Sequence, residues 1–362
     1  MSHYEERLER DLKEIRQRLD DIGSRAQRAV RDSVQAFSAY DRRLANLTVL
    51  RDRAINHGIR HIDRLCHEFV VRHVPSAGHL RWVSSVLRMN VALERVGDYA
   101  VAIARETVQL SKPPSRSLVG DVEQLGVAAD RILSQSLAAF RQGDEALARA
   151  TIDAAREVDE TFKVGFHDLV SAAERQERAP RDLFLLLTVL RMLKRVADQG
   201  ANICQLTLFV VAGVVKEKKF FRILFVEERN DCLSLLAQAY GGKAFADSAS
   251  FASAGWDPAP EVPAAVLDYL DRHGYDTDGL RPRPVAPRDE DGRHYHIIIG
   301  LGADPDRRLA TVPYLTATLE WDVGPAPRLD APDAAEQLER AHRRIAEEMA
   351  ALMELLVGPY DD

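Results

Sequence analysis

The sequence predicts a multidomain chain, all-α over its first two thirds and α/β over the remainder. Three observations predict it. Leu93-Glu94-Arg95-Val96-Gly97-Asp98 recurs without a gap as Leu193-Lys194-Arg195-Val196-Ala197-Asp198, which marks a tandem duplication. Apolar residues recur at spacings of three and four through residues 4 to 216, as in Leu80, Val83, Leu87, Val91 and then Val96, Ala100, Ile103. Beyond Lys216 this period gives way to short apolar runs alternating with helical stretches.

The periodic part divides into six long helical segments, near 4–38, 41–72, 78–111, 118–141, 144–178 and 181–215. Breakers fall between them: Pro75 precedes the third, Pro113-Pro114 separates the two repeats, and Pro180 opens the sixth. Three helices per repeat predict two side-by-side three-helix bundles, over 1–112 and 115–216. From 220 to 362, strands are expected at Phe220–Val226, Ala249–Ala254, His296–Leu301 and Ala317–Trp321. Helices are expected at Asp231–Tyr240, Ala264–His273 and Ala334–Val357, giving a small parallel sheet. The Pro-, Arg- and Asp-rich stretch Leu280–Gly292 reads as a mobile loop, and the charged junction Lys216-Glu217-Lys218-Lys219 as the boundary between two independently folding parts.

Composition bounds the function. With 362 residues, 46% of them hydrophobic, the chain has enough apolar material for several packed domains. Its longest apolar run, Leu206–Val215, is too short to cross a bilayer, and Met1–Gly23 is charged throughout, so a cytoplasmic protein is expected. Cys66, Cys204 and Cys232 are scattered, with no CxxC pair to suggest a disulfide framework or a structural zinc site. The net charge of −7 splits into roughly +4 for 1–216 and roughly −11 for 217–362. That basic excess is too dilute to suggest nucleic acid.

In the first repeat, Glu94 and Asp98 lie one helical turn apart on one face, where their like charges call for a cation. The cation is either a metal ion or neighbouring arginines such as Arg88 and Arg95. His57 and His61, also one turn apart, and His67 share the preceding helix, as ligands or as surface imidazoles.

The helical part resembles the PhoU family of phosphate-transport regulators. The resemblance rests on Leu93-Glu94-Arg95-Val96-Gly97-Asp98-Tyr99-Ala100, on Leu80-Arg81 and Arg88-Met89-Asn90 upstream, and on the partner copy Lys194–Ile203. It implies E(D)xxxD motifs on neighbouring helices that hold iron or zinc clusters. It also implies a regulator acting on a phosphate ABC transporter ATPase, a sensor histidine kinase or both, with a homodimer and peripheral membrane association through those partners as further expectations. Carried over, the motifs give a metal set of Glu94, Asp98, Asp52 and Asn56 in repeat 1. In repeat 2 the matching positions are Ala155 with Asp159, and Lys194 with Asp198. Lys194 would neutralise Asp198 and repel a divalent ion, so metal is expected in repeat 1 only.

The second part resembles low-molecular-weight phosphotyrosine phosphatases and thioredoxin-coupled arsenate reductases. This likeness runs through Ile223–Gln238, Ser253-Ala254-Gly255 and Gly274–Val285. Active members of those families carry a Cys-x5-Arg phosphate loop after the first strand, where a thiolate attacks phosphorus. Here the loop reads Glu227-Glu228-Arg229-Asn230-Asp231-Cys232-Leu233-Ser234, with Glu227 at the nucleophile position and Leu233 at the arginine position. Asn230 and Ser234, which shape the loop in active relatives, are retained, and Cys232 matches a secondary cysteine. The general-acid position falls on Gly324, two residues after Asp322. A carboxylate at Glu227, reinforced by Glu228 and Asp231, is expected to repel phosphate. A non-catalytic pseudophosphatase follows. The alternative is a phosphatase or arsenate reductase regulated by the helical module, and a third reading is an acidic loop that senses an uncharged or cationic ligand.

Overall fold

A computed structural model describes residues 3–213, 220–286, 288–289, 294–302, 304–309, 312–313 and 316–357. The chain divides into two compact units, 1–216 and 217–362. The junction 216–219 and much of 287–293 lie outside the described residues.

The first unit holds six helices: α1 (His3–Ser38), α2 (Arg42–Arg72), α3 (Ala77–Gln109), α4 (Arg116–Gln142), α5 (Glu145–Glu174) and α6 (Pro180–Ala212). Their ends carry the chemistry that stops and starts helices. Asp41 caps α2 by accepting from the amides of Arg43 and Leu44, Asp144 caps α5 through Leu147 N, and Ser76 caps α3 through His79 N. Gly143 takes the left-handed conformation that ends α4. Between the repeats, Ser111 donates from both its amide and its hydroxyl to the buried Asp182, so the link is tied to the start of α6.

The two predicted bundles do not keep separate cores. One cluster runs from Leu12 and Ile15 through Ile55, Leu93 and Ile103 to Leu125, Val189 and Leu193. α3 packs on α6, and α1 packs on α4, across the repeat boundary. α3 and α6 are the most apolar helices of this unit and are buried on more than one side, so each serves its own bundle and the seam between bundles.

The second unit contains β1 (Phe221–Glu227), α7 (Leu233–Ala244), β2 (Ala249–Gly255), α8 (Ala264–Arg272), β3 (Ile297–Leu301), a 3-10 turn (Pro305–Arg307), β4 (Ala317–Trp321) and α9 (Ala334–Val357). All strand pairs are parallel, in the order β2-β1-β3-β4. Alternation sorts the faces. Ile223, Phe225, Ile297 and Ile299 join α7, α8 and α9 in the main core, whereas Leu224, Val226, Ala254 and Ile298 pack under Trp256, Val285, Tyr295 and Leu309. The helix expected at 231–240 begins two residues later and runs four residues further, because the loop before it holds Asp231 and Cys232 in non-helical backbone. The segment expected to be mobile is tied down over its first part: Gly255 N donates to Arg283 O, and Val285 N to Gly255 O.

Candidate functional site

β1 lies between β2 and β3, so the order in which strands are added reverses there and the C-terminal ends of β1 and β3 frame a crevice. In open parallel sheets this is where ligands sit. The loop after β1 enters that crevice. Its backbone is zipped to the segment after β2, with Trp256 N donating to Glu227 O, Asp257 N to Glu228 O and Ala259 N to Arg229 O. Asn230 adopts φ 49°, a left-handed conformation that asparagine tolerates. Its buried side chain donates from Nδ2 to Ser234 Oγ and accepts Arg283 N at Oδ1. The approach depends on Gly255, where a Cβ would stand 2.8 Å from Asn230 N.

The loop is filled from within. Glu227, buried at the end of β1, turns its carboxylate onto the first turn of α7. Oε1 accepts from Cys232 N and Ser234 N, each at 3.1 Å, and from the Ser234 hydroxyl at 2.6 Å; Oε2 accepts from Leu233 N at 3.2 Å. Free amides at a helix N-terminus attract anions, and here the anion is a side chain of the same loop. The expectation that Glu227 acts by repelling phosphate is therefore corrected. It takes those amides itself. Glu228 is paired with Arg308, which also lies over the Trp256 ring, and Asp231 is paired with Arg229, so these acids do not form an open anionic face for a cation. Cys232 is buried, and burial, with Glu227 and Asp231 adding to it, pushes its thiol well above the ordinary range. Leu233 packs in the core. At Gly324, a Cβ would meet Arg344 Nη1 at 2.6 Å, and the Gly324 amide donates to Asp322 Oδ1.

In the helical unit, a cavity of about 470 Å³ is lined by Asp52, Asn56, Glu94, Asp63, Arg53 and Arg60 among others. Asn56 Nδ2 donates to Asp52 Oδ2 at 2.7 Å, while Asp52 Oδ1 and Asn56 Oδ1 are buried without a hydrogen-bond partner. Burial, then the nearby Asp98 and Glu94, push the Asp52 carboxyl up, against the opposing pull of Asn56 and Arg105. Among the described residues neither Glu94 nor Asp98 makes an ion pair, and Arg88 lies over the Phe209 ring instead. No three His, Cys, Asp or Glu side chains among the described residues are grouped to hold a metal outright. His61 Nδ1 lies 2.6 Å from Arg64 Nη2, outside the acidic cluster.

Repeat 2 is neutralised by protein alone. Lys194 Nζ lies 2.9 Å from Asp159 and 3.4 Å from Asp198, and these partners raise its pKa despite burial. Sequence spacing missed two participants. Asp63, which accepts from the buried Asn90 at 2.7 Å, shares the face of Asp52, Asn56 and Ile59, a signal that helical spacing contains. Arg308 lies 80 residues from Glu228, a separation with no sequence signature.

The fold and these sites define a duplicated helical-bundle protein joined to a parallel α/β unit with a ligand-type crevice. Residues 19–107 and 122–207 each match the PhoU domain. The helical unit is thus a tandem pair of PhoU domains. The phosphate-specific transport system accessory protein PhoU homolog of Pseudomonas aeruginosa is 29% identical over 213 residues, 58% of this chain and 88% of the relative. The crystal structure of PhoU from the same organism superposes with a TM-score of 0.55 at 29% identity, covering 57% of this chain and 99% of its own. An arsenate reductase in the phosphate binding state is similar at 19% identity and a TM-score of 0.29, covering 38% of this chain and 98% of its own. Among the described residues no helix is long and apolar enough to cross a membrane.

Proposed function

We propose that this chain is a regulator or adaptor of phosphate uptake and phosphate-responsive signalling, in which the α/β unit serves binding or contact and not catalysis. The observation that carries the reading is the pair of PhoU domains, shared over most of their length with accessory proteins of phosphate-specific transport. The α/β unit supports its second half. A carboxylate stands in the loop where a nucleophile is required, and the neighbouring thiol is held protonated by burial.

The partners of this reading are a phosphate transporter ATPase, a sensor kinase or both, reached in the cytoplasm by a protein that docks without spanning the membrane. Repeat 1 is the metal-capable half. Asp52, Asn56, Glu94 and Asp98 form an oxygen-donor set, and the two unpartnered buried acceptors fit a divalent cation such as iron or zinc. Binding would require Glu94 and Asp98 to turn toward Asp52. Repeat 2 has its cation already, in Lys194.

Co-purification of the tagged full-length chain from its own host, at high and low phosphate, tests the assignment. Recovery of transport ATPase or kinase subunits supports it; recovery of neither under both conditions counts against it.

A further inference from the structure

Three features of the switch-point loop belong together. Three consecutive amides, those of Cys232, Leu233 and Ser234, converge on one carboxylate, and a hydroxyl oriented by Asn230 supplies a fourth donor. The carboxylate is buried, at 5% exposure, so water does not compete for these bonds. The rest of the loop is fixed by the strand-like bonds to residues 256–259 and by Asn230 holding Arg283 N.

We infer that Glu227 is a built-in anion that holds this loop permanently in its anion-bound conformation. The cradle itself is of the kind that accepts the oxygens of a phosphate-type oxyanion, and the side chain supplies those oxygens from within the chain. The α/β unit then presents one loop surface, with Glu228 on Arg308, Asp231 on Arg229 and Trp256 beneath Arg308, whatever the concentration of free phosphate. The device follows from the loop geometry and is independent of which partner the helical unit contacts.

Hydrogen exchange of the full-length chain, read by mass spectrometry over the peptide 227–238, tests it locally. In the wild type, protection is expected to be the same with and without inorganic phosphate. In Glu227→Ala the same amides are expected to exchange at least about tenfold faster without phosphate, since removing the acceptor leaves the donors free to open. Adding phosphate should restore the protection in that variant, with arsenate acting alike. A wild-type loop that becomes more protected on adding phosphate would overturn the inference, as would a Glu227→Ala loop that stays fully protected without it. An exposed loop that phosphate leaves unprotected would show that the cradle is not an oxyanion site and would also overturn it. If Glu227→Ala does not fold, Glu227→Gln keeps the shape and removes the charge. Faster exchange than wild type is then expected over 232–234, and equal exchange overturns the proposal.

Discussion

Gly97 and Asp52 are a matched pair: a Cβ at Gly97 would stand 2.7 Å from Asp52 Oδ1, so a side chain on α3 at this point would force the carboxylate on α2 to shift. The second repeat has changed both members. Ala197 stands at the position of Gly97, and Ala155 at that of Asp52. In sequence, a methyl group appears on one helix of the repeat where the other helix has lost its carboxylate.

Gly97→Ala is therefore expected to destabilise the helical unit by about 1–3 kcal/mol through overpacking, although alanine is the better helix former. Asp52→Ala combined with Gly97→Ala should recover most of that loss. Denaturant unfolding of the two single variants and the double variant measures the coupling, and strict additivity would show that the two positions do not compete for space.

The metal prediction separates the repeats. Elemental analysis of protein isolated without chelators should find iron, zinc or a related divalent metal in the wild type and in Asp198→Ala, and should find it lost from Asp98→Ala. Metal unchanged in Asp98→Ala would refute the repeat 1 assignment. Metal lost on Asp198→Ala instead would move it to repeat 2, against the Lys194 contacts.

Glu227→Gln should destabilise the α/β unit by about 1–3 kcal/mol, because an amide cannot match a carboxylate as acceptor for three backbone N–H groups and a hydroxyl. Ser234→Ala should cost less, since it removes one of those four donors. A thermal scan in which Glu227→Gln equals wild type would mean that the carboxylate contributes nothing to the loop.

The intact chain is expected to show no phosphatase or arsenate reductase turnover above background, and Glu227→Cys with Leu233→Arg to recover little. The new thiol would share its loop with Glu228 and Asp231, and the acid position would still be Gly324, where a Cβ would meet Arg344. A missing general acid is worth roughly 10²- to 10⁴-fold in rate. Turnover of an aryl phosphate by the unmodified chain, abolished by Cys232→Ser, would reverse this reading.

The helices and strands were legible because each rests on a period, 3.6 or 2, that apolar residues print directly in the chain. The acid-for-lysine exchange at Lys194 was legible because a duplicated sequence supplies its own comparison. What spacing could not show was direction. Glu227 reads in sequence as a charge facing an incoming ligand, whereas the structure turns it back onto the amides of Cys232, Leu233 and Ser234. The single core uniting both repeats was likewise hidden, since periodicity marks that α3 and α6 have apolar faces without saying which neighbour each face meets.

The last prediction concerns acid stability of the α/β unit. Between α8 and α9, Tyr275 Oη lies 2.7 Å from His342 Nε2, and Tyr269 donates to Glu339 at 2.8 Å, with His273 3.5 Å from the same carboxylate. Burial first, and His273 after it, hold the His342 pKa below its ordinary value, against the pull of Glu339. The unfolded chain thus binds more protons at this residue as pH falls, so the stability it carries is full above about pH 6.5 and is lost on acidification through that value. Glu339 acts in the same direction at lower pH, since the Tyr269 hydrogen bond holds its carboxyl down and that contribution disappears as the carboxylate is protonated. Tyr269 works from the other side: burial and Glu339 raise its pKa, so its contribution persists until strongly alkaline pH. The unfolding midpoint of the α/β unit should therefore fall between about pH 7.5 and 5.5. In His342→Gln the midpoint should start lower and fall less steeply over the same range. An identical slope in the two proteins would show that His342 is not the group being protonated.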